Sequence, residues 1–133
     1  MRNQMRDPTK PQTEAEWQSV VVHYAKLFSW RIYHTRISFG SAKGFPDLVL
    51  VRRPRLVFVE LKSDKGKVKP EQLDWLADLR ASRAEAYLWR PTDVEDVVAI
   101  LADTRTQQVL PPSSEIFWPR NPYLIRMFKG GAR

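Results

Sequence analysis

Gly44-Phe45-Pro46-Asp47-Leu48-Val49-Leu50 and, after a short basic gap, Val57-Phe58-Val59-Glu60-Leu61-Lys62 are the stretch on which the reading of this chain turns. Each half is an apolar run that begins or ends in a carboxylate. Short apolar runs bounded by Gly, Pro and Arg read as buried strands. Between them lies Arg52-Arg53-Pro54-Arg55, whose proline cannot serve a central ladder and so marks the turn. A hairpin about Arg53-Pro54 pairs Val51 with Leu56 and sets Asp47 opposite Glu60. Directly opposed side chains on one face hold their Cβ atoms about 4.5–5.5 Å apart, and like charges there destabilise a sheet. A cation between the two carboxylates is the simplest compensation. Strand alternation puts Lys62 on the face of Glu60, one pleat further along. Two carboxylates and an ammonium then surround a single point. Carboxylate oxygens suit hard cations such as Mg2+ or Mn2+. An ion held this way activates water and neutralises charge building on a phosphodiester. The competing reading is an edge hairpin with solvated charges, in which Lys62 simply neutralises Glu60. Register decides between them, because a slip of one residue separates the carboxylates.

The chain has 133 residues, enough for one domain with a modest core. Its 43% hydrophobic and 28% charged content is that of an ordinary globular protein, which argues against global disorder. A net charge of +7 favours a polyanionic partner, most simply nucleic acid. With no cysteine, disulfides, thiolate zinc sites and thiol catalysis are excluded, which suits a reducing cytoplasm. Met1–Gln12 is polar with no apolar export core, and the sequence holds no apolar stretch long enough to cross a bilayer. The expectation is a soluble protein with no membrane partner.

Residues 1–12 contain Pro8 and Pro11 and read as a flexible basic arm. Thr13-Glu14-Ala15-Glu16 is a capping box that opens a helix to about Ser29, with Trp17, Val20, Val21, Tyr24 and Phe28 on one stripe. On that helix Glu14 falls at the flank of the stripe, whereas Glu16 faces solvent and is accounted for by capping. Glu14 is thus the better candidate for a third carboxylate at the site. The plainer reading is that both acids only complement the helix N-terminus. Trp30 to Arg36 alternates as a strand, and Ile37 to Gly44 is a loop. Beyond Lys62 comes a basic turn, with Pro70 at the first position of a second helix. Gln72, Trp75, Leu76 and Leu79 share that helix's inward stripe, and a buried amide needs partners. A site carboxylate, the lysine, a DNA phosphate or plain water are the choices. Ala86 to Trp89 is a further strand, and Thr92-Asp93-Val94-Glu95 reads as a second capping box, opening a helix with Val94, Val97, Val98 and Leu101 inward. His23 and His34 read as surface or packing residues. From Thr104 to Arg133, prolines, aromatics and basic residues alternate, and the reading favours aromatics that pack over a tail that stacks on nucleic acid.

The elements run helix, strand, strand, strand, helix, strand, helix: an α/β fold with a small mixed sheet flanked by helices. This order, with Pro46-Asp47 at one strand and Glu60-Leu61-Lys62 on the next, resembles the PD-(D/E)xK nuclease superfamily and its restriction-endonuclease-like fold. More closely, residues 13–103 are similar to the compact stand-alone phage and bacterial members of the VRR-Nuc family. Thr13 to Gln18, Trp30 to His34, Gly44 to Leu50, Phe58 to Ser63, Pro70-Glu71-Gln72 and Tyr87 to Pro91 carry the resemblance. It implies that Asp47 and Glu60 ligate Mg2+ or Mn2+ together with the backbone carbonyl of Leu61. Glu14 completes the set directly or through water. Lys62 positions and helps activate the attacking water, and Gln72 supports the lysine or the scissile phosphate. Lys43, Lys65, Lys67 and Lys69 are the candidate DNA contacts. The implied reaction leaves a 5′-phosphate and a 3′-hydroxyl. Implied as well are a branched-DNA substrate, a homodimer similar to Holliday-junction resolvases, and a place in the cytoplasm of a bacterium or phage-infected cell. Two other readings stand beside this one: a nuclease of flap, exonucleolytic, restriction-like or RNA specificity, and a non-catalytic DNA-binding module or partner-dependent subunit.

Overall fold

The computed structural model describes residues 10, 11, 13–35 and 40–104. The chain enters the fold through a reciprocal cap. Thr13 Oγ1 accepts from the Glu16 amide at 3.1 Å, and the Glu16 carboxylate accepts from the Thr13 amide at 3.3 Å. That satisfies two of the helix's orphan donors, and α1 runs Glu14–Leu27. It is followed by β1 (Arg31–His34), β2 (Leu48–Arg52), β3 (Arg55–Leu61), α2 (Pro70–Ala81), β4 (Glu85–Trp89) and α3 (Val94–Ala102). The arm before Lys10 and the tail after Thr104 lie outside the described residues, as does the reading of the tail as packed.

α1 and α2 end in the same way. In the first, the Ser29 amide donates to Lys26 and that of Trp30 to Ala25; in the second, Arg83 donates to Arg80 and Ala84 to Leu79. Each closure puts a non-glycine residue at positive φ, 66° for Ser29 and 67° for Arg83. The left-handed residue reverses the chain and feeds it directly into a strand.

The four strands lie in the order β1-β2-β3-β4. β1 with β2 and β2 with β3 are antiparallel, while β3 with β4 is parallel, with α2 as the crossover. Val51 pairs with Leu56 and Leu48 with Val59, the register expected from the Pro54 turn. One step beyond the ladder, Asp47 stands opposite Glu60. Alternation then separates two faces. Leu48, Leu50, Val57, Val59, Leu61, Tyr87 and Trp89 are buried against Trp17, Val21 and Ala25 of α1 and Val97, Ile100 and Leu101 of α3. Trp17 Nε1 donates to the Trp89 carbonyl at 3.0 Å, which pins the start of α1 over the C-terminal end of β4. The opposite face receives α2, where the Phe45 ring is met edge-on by Phe58 and Trp75.

One reading of the sequence needs correction. Thr92 does not cap α3. A single 3-10 turn at Pro91–Asp93 delays the helix start, and the Asp93 carboxylate instead accepts from the Arg90 amide at 2.9 Å. Ile100 joins Val97 and Leu101 on the buried side, with Val94 and Val98 only half-buried. The turn residues also do more than reverse the chain, a role the sequence did not reveal. Arg55 is buried and forms a two-pronged ion pair with Glu85, at 3.0 and 2.7 Å, while Tyr87 donates to the same carboxylate at 2.9 Å. Burial, and then the negative charge of Glu85, raises the Tyr87 pKa and keeps its hydroxyl a donor. Arg52 and Arg55 stack over Trp30 at 4.5 and 4.9 Å from the ring centre, and reach the carbonyls of Ile100, Leu101 and Asp103 that end α3.

Candidate active site

The site forms at the end of β3, on the face that carries α2. Asp47 arrives there because Gly44-Phe45-Pro46 seats the chain against that helix. Gly44 has φ of +91°, and a Cβ on it would stand 2.6 Å from the backbone carbon and oxygen of Glu71 and 2.9 Å from the Gln72 nitrogen. Only a residue without a side chain allows that approach. The Asp47 carboxylate is then fixed by the Leu61 amide, which donates to Oδ2 at 2.8 Å. Gly44→Ala is expected to lower stability by about 1–3 kcal/mol from the backbone strain alone. Because it pushes the Asp47 loop away from Gln72, the cleavage rate proposed below should fall as well. Thermal unfolding and a cleavage time course on the same preparation check both.

Glu60 is 1% exposed, an unusual burial for a carboxylate that forms no ion pair among the described residues. Its Oε1 accepts from Gln72 Nε2 at 2.7 Å, and Gln72 Oε1 accepts from the Lys69 amide at 2.9 Å. Gln72 therefore caps the start of α2 and holds Glu60 with the two ends of one amide. Of the partners open to Gln72 in the sequence, the site carboxylate is the one it meets. Glu60 Oε2 is enclosed and has no hydrogen-bond partner among the described residues. Burial first, and then the Asp47 charge beside it, push the Glu60 pKa up to about 9; Lys62 pulls the other way, and the charge of Glu14 adds to the rise. Without a cation beside it, the fold favours the protonated form of Glu60 at neutral pH.

Lys62 is 8% exposed and extends β3 by one residue, its amide donating to the Trp89 carbonyl at 3.1 Å. Asp47, Glu60 and Lys62 are thus brought together as expected. Glu14 is exposed and acts on Glu60 through its charge alone. Among the described residues no three His, Cys, Asp or Glu side chains come close enough together to hold an ion by themselves. Lys43, Lys65, Lys67 and Lys69 are all exposed around this end of the sheet. The Lys43 carbonyl accepts from Trp75 Nε1 at 3.0 Å. The loop bearing the other lysines is gripped by Arg90, whose Nη1 donates to the carbonyls of Ser63 at 2.6 Å and Gly66 at 2.7 Å. Sequence reasoning assigned no role to Arg90, because nothing in Trp89-Arg90-Pro91 reveals contacts to a loop more than twenty residues earlier. His34 pairs with Gln18 at 3.2 Å and His23 meets Tyr24 edge-on, which leaves both histidines outside the site.

The family model described as the VRR-NUC domain matches residues 19–92, more than half of the chain. The chain belongs to the VRR-NUC domain family. A solved structure described as a VRR_NUC domain protein superposes with a TM-score of 0.54 at 22% identity, over 67% of this chain and 84% of that one. That likeness bears on the fold and agrees with the four-stranded mixed sheet and its three helices. No curated protein matches the chain. Membership makes this a nuclease-type domain with DNA as the natural substrate. Asp47, Glu60, Lys62 and Gln72 all lie within the matched VRR-NUC span, while Glu14 lies just outside it. Among the described residues no helix is long and apolar enough to cross a membrane.

Proposed function

We propose that the protein is a Mg2+- or Mn2+-dependent endodeoxyribonuclease that hydrolyses phosphodiester bonds in branched DNA, acting as a homodimer in the manner of Holliday-junction resolvases. One observation carries the chemistry: Glu60 Oε2, buried and unpartnered, directly across the sheet from Asp47. A buried acceptor with no donor costs stability unless something arrives to meet it. Two carboxylates facing one point, with Lys62 beside them, suit a hard divalent cation that keeps several waters of its own. Asp47, Glu60 and the Leu61 carbonyl would hold that cation, with Glu14 joining through water. When bound, it supplies an activated water and charge neutralisation at the phosphate.

The chain's own groups supply the rest. Leu61 N–H fixes one oxygen of Asp47 and Gln72 fixes one oxygen of Glu60, so each carboxylate has its other oxygen for the site. Lys62 orients the attacking water and offsets negative charge developing on the phosphate. Lys43, Lys65, Lys67 and Lys69 contact the backbone of the DNA on the site's rim, and Arg90 keeps the loop of the last three in place. Two such sites related by a two-fold axis match the symmetry of a four-way junction.

Cleavage of a labelled four-way junction and a matched linear duplex, by wild type and Asp47→Ala with Mg2+ or Mn2+, tests this. Symmetric cuts on the junction alone, lost in Asp47→Ala, are expected. Cuts on both substrates would keep the nuclease and remove the junction preference. Tight DNA binding with no cut by the wild type would favour the non-catalytic module, and in that case Asp47→Ala would strengthen binding by removing a negative charge.

A further inference from the structure

The row of residues that contains Asp47 and Glu60 does not stop at β2. β1 and β2 pair antiparallel with His34 opposite Leu48, so the next position outward sets Thr35 opposite Asp47. A hydrogen bond of 2.8 Å from the Thr35 amide to the Asp47 carbonyl holds that pairing beyond the end of the ladder. By strand alternation Thr35, Asp47 and Glu60 share one face, side by side on three neighbouring strands. Thr35 Oγ1 is enclosed, and like Glu60 Oε2 it has no hydrogen-bond partner among the described residues. Asp47 is therefore flanked on both sides by a buried oxygen that has no hydrogen-bond partner among the described residues.

That hydroxyl is costly where it stands. Valine has the same shape, favours a strand at least as well and leaves no orphan. A threonine whose hydroxyl meets no partner among the described residues is thus best accounted for by something that enters the site. We propose that Thr35 is a positioning residue of this site, whose hydroxyl bonds a water shared with Asp47 and so fixes the oxygen shell offered to the divalent cation. The inference rests on the nuclease reading above and adds a residue to it. It assigns Thr35 no contact with the scissile bond.

The test uses the full chain and the variants Thr35→Val, Thr35→Ser and Asp47→Ala. Mn2+ binding is measured by calorimetry without DNA, and cleavage is measured against Mn2+ concentration. Thr35→Val should bind Mn2+ about 10-fold more weakly. It should need correspondingly more Mn2+ for half-maximal cleavage, with DNA affinity in metal-free buffer within about twofold of wild type. Its thermal unfolding without metal should match or exceed the wild type, which a purely structural role for the hydroxyl would not produce. Thr35→Ser should restore the Mn2+ affinity. If Thr35→Val binds Mn2+ and cleaves as the wild type does, the inference falls and the nuclease reading stands. If the wild type itself shows no Mn2+ binding that Asp47→Ala removes, both fall together.

Discussion

Glu60→Gln should cut DNA at least about 10²–10³-fold more slowly than the wild type, and yet be the more stable protein in metal-free buffer. The two effects have one origin. Glu60 is enclosed beside Asp47, with its pKa pushed up to about 9, so the fold favours its protonated form. Between its ordinary carboxylate value and about 9, the folded state holds a proton that the unfolded chain has released. Stability from this group is therefore fully present below the unfolded pKa and is lost as pH rises through about 9. Glutamine imitates the protonated acid at every pH: its oxygen can accept from Gln72 and its amide can donate toward Asp47. The variant should lack the downward slope, and its advantage in unfolding temperature should widen from pH 5 to pH 9. Adding Mg2+ should raise the unfolding temperature of the wild type and leave the variant unmoved, since only a deprotonated carboxylate can take up the ion. Parallel stability-versus-pH curves for the two proteins would sink this account of Glu60.

The second large effect lies at the other end of the sheet. Glu85→Ala removes the partner of a guanidinium that is 2% exposed and orphans the Tyr87 hydroxyl in the same step. Breaking a buried pair from one side typically costs about 3–5 kcal/mol, because an uncompensated charge stays behind. Urea denaturation should show a loss of that size with an unchanged slope. Arg55 keeps its bonds to the carbonyls of Ile100 and Asp103, which sets the lower end of the range. Replacing both members, as in Arg55→Met with Glu85→Leu, should recover much of the loss, since no buried charge remains. A loss below about 1 kcal/mol for Glu85→Ala alone would mean that water reaches the arginine. The site lies several residues away along β3, so the metal response of any folded variant should be unaltered.

What could be read in the sequence follows the range of each physical rule. The Asp47–Glu60 pairing was legible because Pro54 fixed the turn and alternation did the rest, and all of this happens within one hairpin. Gln72 was legible as an anomaly, a polar residue on an apolar stripe, but its choice of Glu60 depends on how α2 crosses the sheet. Thr35 was hidden for a different reason. It reaches Asp47 through a long connection whose register no local pattern specifies. Arg55 and Glu85 looked like ordinary strand-end charges, since their pairing depends on a parallel alignment created only by the α2 crossover. The capping box at Thr92 failed because Pro91 fits a 3-10 turn as readily as a helix start, although Val97 and Leu101 still face the core as read. Glu14 shows the limit of a helical wheel: the wheel set it nearer the inward stripe than Glu16 but gave no distance, and in the fold Glu14 is exposed.

The arginines that close the end of α3 also decide where the chain leaves the domain. Asp103 is held at the hairpin by Arg52 and Arg55, and the five strand steps from Arg55 to Glu60 separate that point from the Asp47–Glu60 pair by roughly 17 Å. Thr104 thus lies toward the pole of the sheet remote from Asp47 and Glu60. A fluorophore placed at Thr104 would therefore report from the end of the sheet away from the two carboxylates, whereas one placed at Thr13 would stand beside Glu14.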